Sequence, residues 1–342
     1  MKQLIQAMAA QFARQEAFAM ATVITRNGSA PRSAGAKMMV RADGSSTGTV
    51  GGGILEAQVQ QLAAEILQQH RAVVQKFEFS GADAATMDAI CGGRVEVLVE
   101  WWDAADPNLK RISEELQIAV EQHGKAWLLT TLPSADRSSL HTVVRADGQT
   151  FGAIDLAVET FLDIRQPELI HDGEQQIMVE PIDIAGSVYI FGAGHVSRSL
   201  ASFTKAVGFW TVILDDRPEY ANWERFPNAD EIIVPASYQD VFEKIAIGPD
   251  SFIVIVTRGH LNDREVLAQA LQTQAGYIGM IGSRRKCALV FDELLKTGCS
   301  EEDIHRVHAP IGLAIDAETP EEIGISITAE MIQVRARLLK HP

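Results

Sequence analysis

The chain has 342 residues, 46% of them hydrophobic and 22% charged, and a formal net charge of −15 at pH 7. That length suits two domains of ordinary size, while the acidic balance, with no dominant basic face, argues against a nucleic-acid partner. No apolar run approaches the ~18–20 residues of a bilayer span, so no membrane partner is expected; three cysteines, Cys91, Cys287 and Cys299, without a C-x-x-C pair fit reduced thiols and not a disulfide scaffold.

In chain order, residues 1–24 read as an amphipathic helix leading into a strand. They lack the layout of a secretion signal, which makes the cytoplasm the expected location. A polar loop, 26–37, carries Gly28-Ser29-Ala30-Pro31-Arg32 and Lys37. A strand over 38–41, an Asp43-Gly44 hairpin turn and the run Gly48-Thr49-Val50-Gly51-Gly52-Gly53 follow, the last at the mouth of a helix. A glycine-rich turn at a helix start faces a ligand with backbone N–H groups alone, which suits an anion. Gly51, Gly52, Gly53, Arg32 and Lys37 are therefore candidates to hold one. Residues 77–100 predict two strands around Cys91-Gly92-Gly93, and Cys91 is either a presented thiolate, the candidate chemical group here, or an inert buried thiol.

The stretch 38–44 recurs at 142–148, a spacing of 104 residues, and the match continues without gaps to Gly48 and Gly152. Upstream, 21–24 aligns with 125–128. Each copy predicts strand, polar loop, strand, hairpin turn, strand and helix; a chance likeness between two plain hairpins is the competing reading. The second copy turns its corner with Gly152-Ala153-Ile154-Asp155. Because glycine costs about 0.5–1 kcal/mol relative to alanine when merely ordered, the triplet at 51–53 asks for a further reason. The segment 165–185, punctuated by Gln-Pro, Asp-Gly and Glu-Pro, reads as the link between a first domain, 1–183, of α+β type and a second, 184–342.

The second half alternates apolar runs (187–191, 211–214, 231–234, 252–257, 277–281) with helix-length segments, the signature of a doubly wound, Rossmann-like parallel sheet. Its first strand runs into Gly192-Ala193-Gly194-His195-Val196-Ser197, and the next ends in Asp215-Asp216. In that context Gly192 and Gly194 admit a pyrophosphate, His195 opens the helix behind it, and Asp215 takes ribose hydroxyls. The acid opposes a 2′-phosphate, so NAD is favoured over NADP. Thr257-Arg258-Gly259-His260 ends another strand beside the same crevice, which makes His260 either a functional or a structural histidine. In Gly282-Ser283-Arg284-Arg285-Lys286, Ser283 reads as an N-cap with three bases in the first turn. The helix dipole opposes them there, and a bound anion would remove the conflict; ordinary surface arginines are the plain alternative. His308-Ala309-Pro310 ends the last strand, and Thr319-Pro320-Glu321-Glu322 starts the last helix with an N-cap, an N1 proline and a capping-box glutamate. No metal site is expected.

These motifs together resemble the XdhC/CoxI family, accessory proteins of molybdenum hydroxylases such as xanthine dehydrogenase. The matching stretches are G-S-A-P-R-S-A-G-A-K-M at 28–38, G-T-V-G-G-G-I-L-E at 48–56, C-G-G-R-V-E-V at 91–97, F-G-A-G-H-V at 191–196, D-D-R-P at 215–218, I-G-S-R-R-K at 281–286, H-A-P-I-G-L at 308–313 and T-P-E-E-I at 319–323. The resemblance implies binding of the molybdenum cofactor, as molybdopterin or its dinucleotide form, and its sulfuration with a cysteine desulfurase. It further implies delivery to the apo-hydroxylase by a factor with no turnover of its own, expected as a homodimer. Ile54 stands where many members carry cysteine, Arg258 where the family often shows T-H-G-H, and Asp316 where glycine is common. The first two departures bear on sulfur relay and on a histidine pair, not on the binding framework. The rival from another class is an NAD-dependent oxidoreductase with His195 or His260 as proton donor.

Overall fold

The computed structural model describes the chain apart from residues 29–32, 80–92, 123, 135–136, 183–185 and 340–342. Arg32 and Cys91 thus lie outside the described residues. The chain divides into two compact units, Met1–Asp183 and Ile184–Pro342.

The first unit is built twice over. Its first copy comprises α1 (Lys2–Arg14), β1 (Phe18–Gly28), β2 (Lys37–Arg41), β3 (Ser46–Gly48), α2 (Gly53–Gln69), β4 (Ala72–Phe79) and β5 (Gly93–Trp102). The second comprises α3 (Pro107–Glu121), β6 (Ala126–Thr131), β7 (His141–Arg145), β8 (Thr150–Gly152), β9 (Glu168–Asp172) and β10 (Gln175–Ile182). The strand orders β3-β2-β1-β5-β4 and β8-β7-β6-β10-β9 are the same order, and every pairing in both is antiparallel. Register then fixes the equivalences. Met20 faces Met39 and Glu100, and Leu128 faces Val143 and Glu180, so Glu100 corresponds to Glu180 and Lys37 to His141.

The sequence alignment of the two copies holds at 104 residues for β2/β7 and β3/β8. It is corrected for the first strand: Thr22 pairs with Lys37 but Thr130 with His141, which sets Ala21 opposite Leu129 and not Lys125. The loop between those strands is shorter in the second copy. Two further expectations change. Residues Glu168–Asp172 and Gln175–Ile182 form β9 and β10, joined through the Gly173-Glu174 turn, so most of the expected linker is part of the second sheet. The second copy also has only a 3-10 turn, Val158–Thr160, where the first has α2.

The match that ends at Gly48 and Gly152 has a physical cause. A Cβ on Gly48 would lie 2.4 Å from the Lys37 carbonyl oxygen, and one on Gly152 would lie 2.2 Å from that of His141. Both are backbone approaches that only glycine allows. One core joins the copies: Leu4, Ile5, Met8 and Phe12 of α1 meet Phe18, Met20, Trp102, Leu128, Val143 and Ile182. Inside it the copies exchange ionic partners. Lys37 Nζ lies 2.8 Å from Glu180 Oε2 and donates to Thr22 Oγ1 at 2.7 Å. The equivalent His141 places Nε2 3.3 Å from Glu100 Oε1 and Nδ1 3.2 Å from Thr130 Oγ1.

The second unit comprises β11 (Ser187–Phe191), α4 (His195–Ala206), β12 (Trp210–Leu214), β13 (Glu231–Ile233), β14 (Ser251–Ile255), α5 (His260–Ala270), β15 (Tyr277–Met280), α6 (Arg284–Lys296), α7 (Glu301–His305), β16 (Val307–His308) and α8 (Pro320–Leu338). The six strands are parallel in the order β13-β12-β11-β14-β15-β16, the Rossmann-like sheet read from the sequence. Apolar clusters cover both faces, one around Ile253, Ile255 and Met280, the other around Ile190, Val254 and Met331. That double burial explains the unbroken apolar runs. Among the described residues no helix is long and apolar enough to cross a membrane, and no cluster of His, Cys, Asp and Glu could hold a metal.

Candidate functional site

Strand order reverses between β11 and β14, and the carboxyl ends of such neighbours open the crevice where α/β sheets bind ligands. Two helices start there without a capping side chain: α4 from Gly194 and α5 from Gly259. The first turn of α4 carries no acid, so its N–H groups and dipole face the crevice uncompensated, whereas that of α5 carries the buried Asp263. Gly192, at φ +111°, is demanded by packing, since a Cβ would meet Val256 O at 2.4 Å. Gly194 differs: nothing stands within 4 Å of the place a Cβ would take, which leaves the phosphate-sized approach open. His195 and His260 are the first residues of the two helices, and both are exposed.

Asp215 does not stand free for a ribose. It is 1% exposed, and its Oδ2 accepts from Ala193 N at 2.8 Å and Arg217 Nη2 at 2.9 Å. Its Oδ1 accepts from Arg217 Nε at 2.8 Å and Arg217 N at 3.1 Å. Burial pushes this carboxyl up, but the Arg217 guanidinium and the Ala193 N–H outweigh it and hold the group below the usual range. Its task in this arrangement is to fix the glycine loop. Asp216, next along, was the less obvious acid. Its Oδ2 lies 3.2 Å from Arg258 Nη2, and its buried Oδ1, without a hydrogen bond among the described residues, lies 3.8 Å from Arg217 Nε.

At the end of β15 the predicted cap is present: Ser283 Oγ accepts from Lys286 N at 3.2 Å. Arg284 and Arg285 are exposed and, among the described residues, make no hydrogen bond or ion pair. Lys286 is committed inward to Asp263, which is fully buried and also accepts from Thr257 Oγ1 at 2.6 Å and Thr257 N at 3.2 Å.

In the first unit the glycine triplet opens α2 as expected, with Gly52 as N-cap. Gly51, Gly52 and Gly53 take φ +144°, +80° and +57°, so the turn itself needs glycine at Gly52, where ψ is 178°. The helix also brings its own anion. Glu56 Oε1 accepts from Gly52 N at 2.9 Å and from the Thr49 hydroxyl, while Thr49 Oγ1 accepts from Gly51 N at 3.1 Å. Burial raises the Glu56 carboxyl, and the Thr49 hydroxyl with the Gly52, Gly51 and Val50 amides lowers it to a net value below the usual range. Lys37 is drawn into the pair with Glu180 and is not at the surface, since its side chain is 9% exposed. A cavity of about 10 Å³ beside it, lined by Lys37, Glu100, Thr130 and His141, holds a water at most. Sequence reasoning missed Glu56, Asp216 and the Glu100–Glu180 equivalence. An acid in a first helical turn was the available signal for Glu56.

The model described as the XdhC Rossmann domain matches residues 188–331, and that of the XdhC and CoxI family matches 12–78. An uncharacterised Escherichia coli K12 protein, YqeB, is 30% identical over 93% of this chain; the chain spans only 43% of that relative. A Bacillus subtilis protein described as a probable subunit of xanthine dehydrogenase is 26% identical over 95% of each chain. The Escherichia coli K12 molybdenum cofactor insertion chaperone PaoD is 22% identical over 92% of this chain and 83% of its own. Among solved structures, a Bacillus halodurans protein described as a xanthine dehydrogenase superposes with a TM-score of 0.79 at 28% identity, covering 97% of this chain and 96% of its own.

Proposed function

The chain belongs to the XdhC and CoxI family, and on that premise we propose that it holds the molybdenum cofactor and delivers it to a xanthine dehydrogenase-type apo-hydroxylase. The observation that carries this reading is the crevice of the second unit. Two uncapped helix N-termini flank an open glycine approach at the switch point of a parallel sheet. The cargo is a pterin with a phosphate or nucleotide tail, and these donors fit an anion. The amides after Gly192 and Gly194 would take the phosphate, and Arg284 and Arg285 would answer further negative charge along the same strand ends. The relatives' names support a maturation role.

Sulfuration with a cysteine desulfurase as donor belongs to the same proposal. Burial pushes the thiols of Cys287 and Cys299 up, which disfavours the nucleophilic thiolate at both. Ile54 leaves no thiol beside the triplet. Cys91 is the remaining candidate for relay. The triplet itself receives cargo only when Glu56 releases its amides. The test is reconstitution: protein loaded with released cofactor should restore activity to an apo-hydroxylase, and Gly194→Val should lose both retention and transfer. Tight NADH binding with no pterin retention would sink the reading.

A further inference from the structure

The last helix, α8, is apolar on two opposite sides. Ile327, Met331 and Val334 face the sheet in the core of the second unit. On the far side Ile325, Ala329, Ile332 and Ala336 recur at intervals of four, three and four residues, which sets them in one stripe along the helix. Ile325 is 49% and Ile332 38% exposed, Ala336 is exposed and Ala329 half-buried. A helix lying on a sheet needs one apolar face, so the outer stripe is surplus to the fold. Helical spacing places Glu322, in the first turn, and Arg337, in the last, on the same flank of that stripe. Both are exposed. Glu322 binds the Glu318 and Thr319 amides through Oε2, while the Arg337 guanidinium makes no hydrogen bond or ion pair among the described residues.

We propose that a second copy of this chain docks on the stripe, the two α8 helices running antiparallel about a twofold axis. The stripe is complementary to itself in that orientation. With Ile325 facing Ala336 of the second copy, Ala329 faces Ile332, and the remaining two layers repeat these by symmetry. A large side chain meets a small one in every layer, which lets the helices close without gaps or crowding. The same register brings Glu322 within one turn of Arg337 of the second copy, once at each end, and the helix dipoles oppose. A parallel pair would do the reverse. It would stack Ile on Ile, Ala on Ala, Glu322 on Glu322 and Arg337 on Arg337. The homodimer implied by the family resemblance thereby acquires a surface and a register, and neither depends on what the crevice carries.

Sedimentation velocity of the full chain over a concentration series tests this. One pair of 19-residue helices is a small interface, so a monomer–dimer equilibrium in the micromolar range is expected. Ile332→Glu, with thermal unfolding of the dilute monomer unchanged, should raise the dissociation constant roughly a hundredfold or more, because the twofold buries two unpaired carboxylates. Ile332→Ala should raise it about tenfold, since each substitution empties two layers. Ala329→Ile alone sets Ile on Ile and should also weaken pairing. Ala329→Ile combined with Ile332→Ala exchanges large and small across both middle layers, and should return the constant to within about threefold of wild type. A monomer at every concentration, a dimer indifferent to Ile332→Glu, or a double variant no tighter than Ile332→Ala would overturn the proposal. A monomeric wild type whose capture by an apo-hydroxylase is lost in Ile332→Glu would give the stripe to that client and overturn it equally.

Discussion

Lys37→Met isolates the ionic exchange between the two copies of the first unit. The side chain keeps its unbranched shape but loses its terminal ammonium, leaving Glu180, 1% exposed, without the cation 2.8 Å away. Removing one partner of a buried pair costs about 3–5 kcal/mol, whereas replacing both with groups of similar size is close to neutral. Lys37→Met should therefore lose about 3 kcal/mol or more, and adding Glu180→Gln should recover most of it. The pH dependence gives an independent sign. Burial, with Glu100 as a nearby negative charge, already raises Glu180 above its ordinary 4.5 against the pull of Lys37. Without Lys37 it rises further. A raised acid is penalised as pH climbs through its folded value, and the penalty vanishes below the unfolded value. The deficit of the variant should thus be largest near neutral pH and shrink as pH falls toward 4.5. Glu100 has the opposite sign: burial raises it, but His141 and Ser139 hold it below its ordinary value, so its contribution is lost as pH falls. Urea unfolding followed by fluorescence reads this locally, because the Trp102 ring lies 4.7 Å from that of His141. A loss under about 1 kcal/mol for Lys37→Met, or no recovery in the double variant, would refute the reasoning.

Asp215→Ala strips the glycine loop of the acceptor for Ala193 N and leaves Arg217 with only the 3.8 Å contact to Asp216, a loss of about 3 kcal/mol in chemical denaturation at pH 7. Because the folded group lies below its ordinary 3.8, the difference from wild type should narrow as pH drops under that value. Gly48→Ala and Gly152→Ala each force a Cβ within 2.4 Å of backbone oxygen at positive φ and should each cost more than about 1 kcal/mol. Gly194→Ala, in open space at φ −80°, should stay within about 0.5 kcal/mol in thermal unfolding. Cys287 is buried with its thiol pushed up, so a thiol reagent should label it only on unfolding, read by mass spectrometry.

The second unit was legible because a doubly buried parallel sheet writes its strands as plain apolar runs, and helix caps such as Ser283 and Thr319 are local signals. The duplication was legible at Gly48 and Gly152, where a backbone contact forces the same residue twice. It blurred at β1 and β6, where a loop difference shifts the frame and burial accepts any apolar residue. The site was half legible. The fingerprint gave Gly192, Gly194 and an acidic strand end, but which of two adjacent aspartates faces inward depends on Arg217, and no spacing rule encodes that. The triplet looked like an empty cradle because Glu56, four residues on from Gly52, reads as ordinary helix sequence until its carboxylate is seen on the Gly52 amide. Lys37 looked like a surface base because its partner lies in the other copy, 143 residues away in sequence.

The central claim is that this chain carries the cofactor. The direct measurement is the molybdenum and pterin content of the protein isolated anaerobically from its own cells, before and after transfer to an apo-hydroxylase. The account predicts pterin and molybdenum bound together and both depleted as the hydroxylase gains activity. Protein that holds neither, under conditions where the hydroxylase matures, would contradict it.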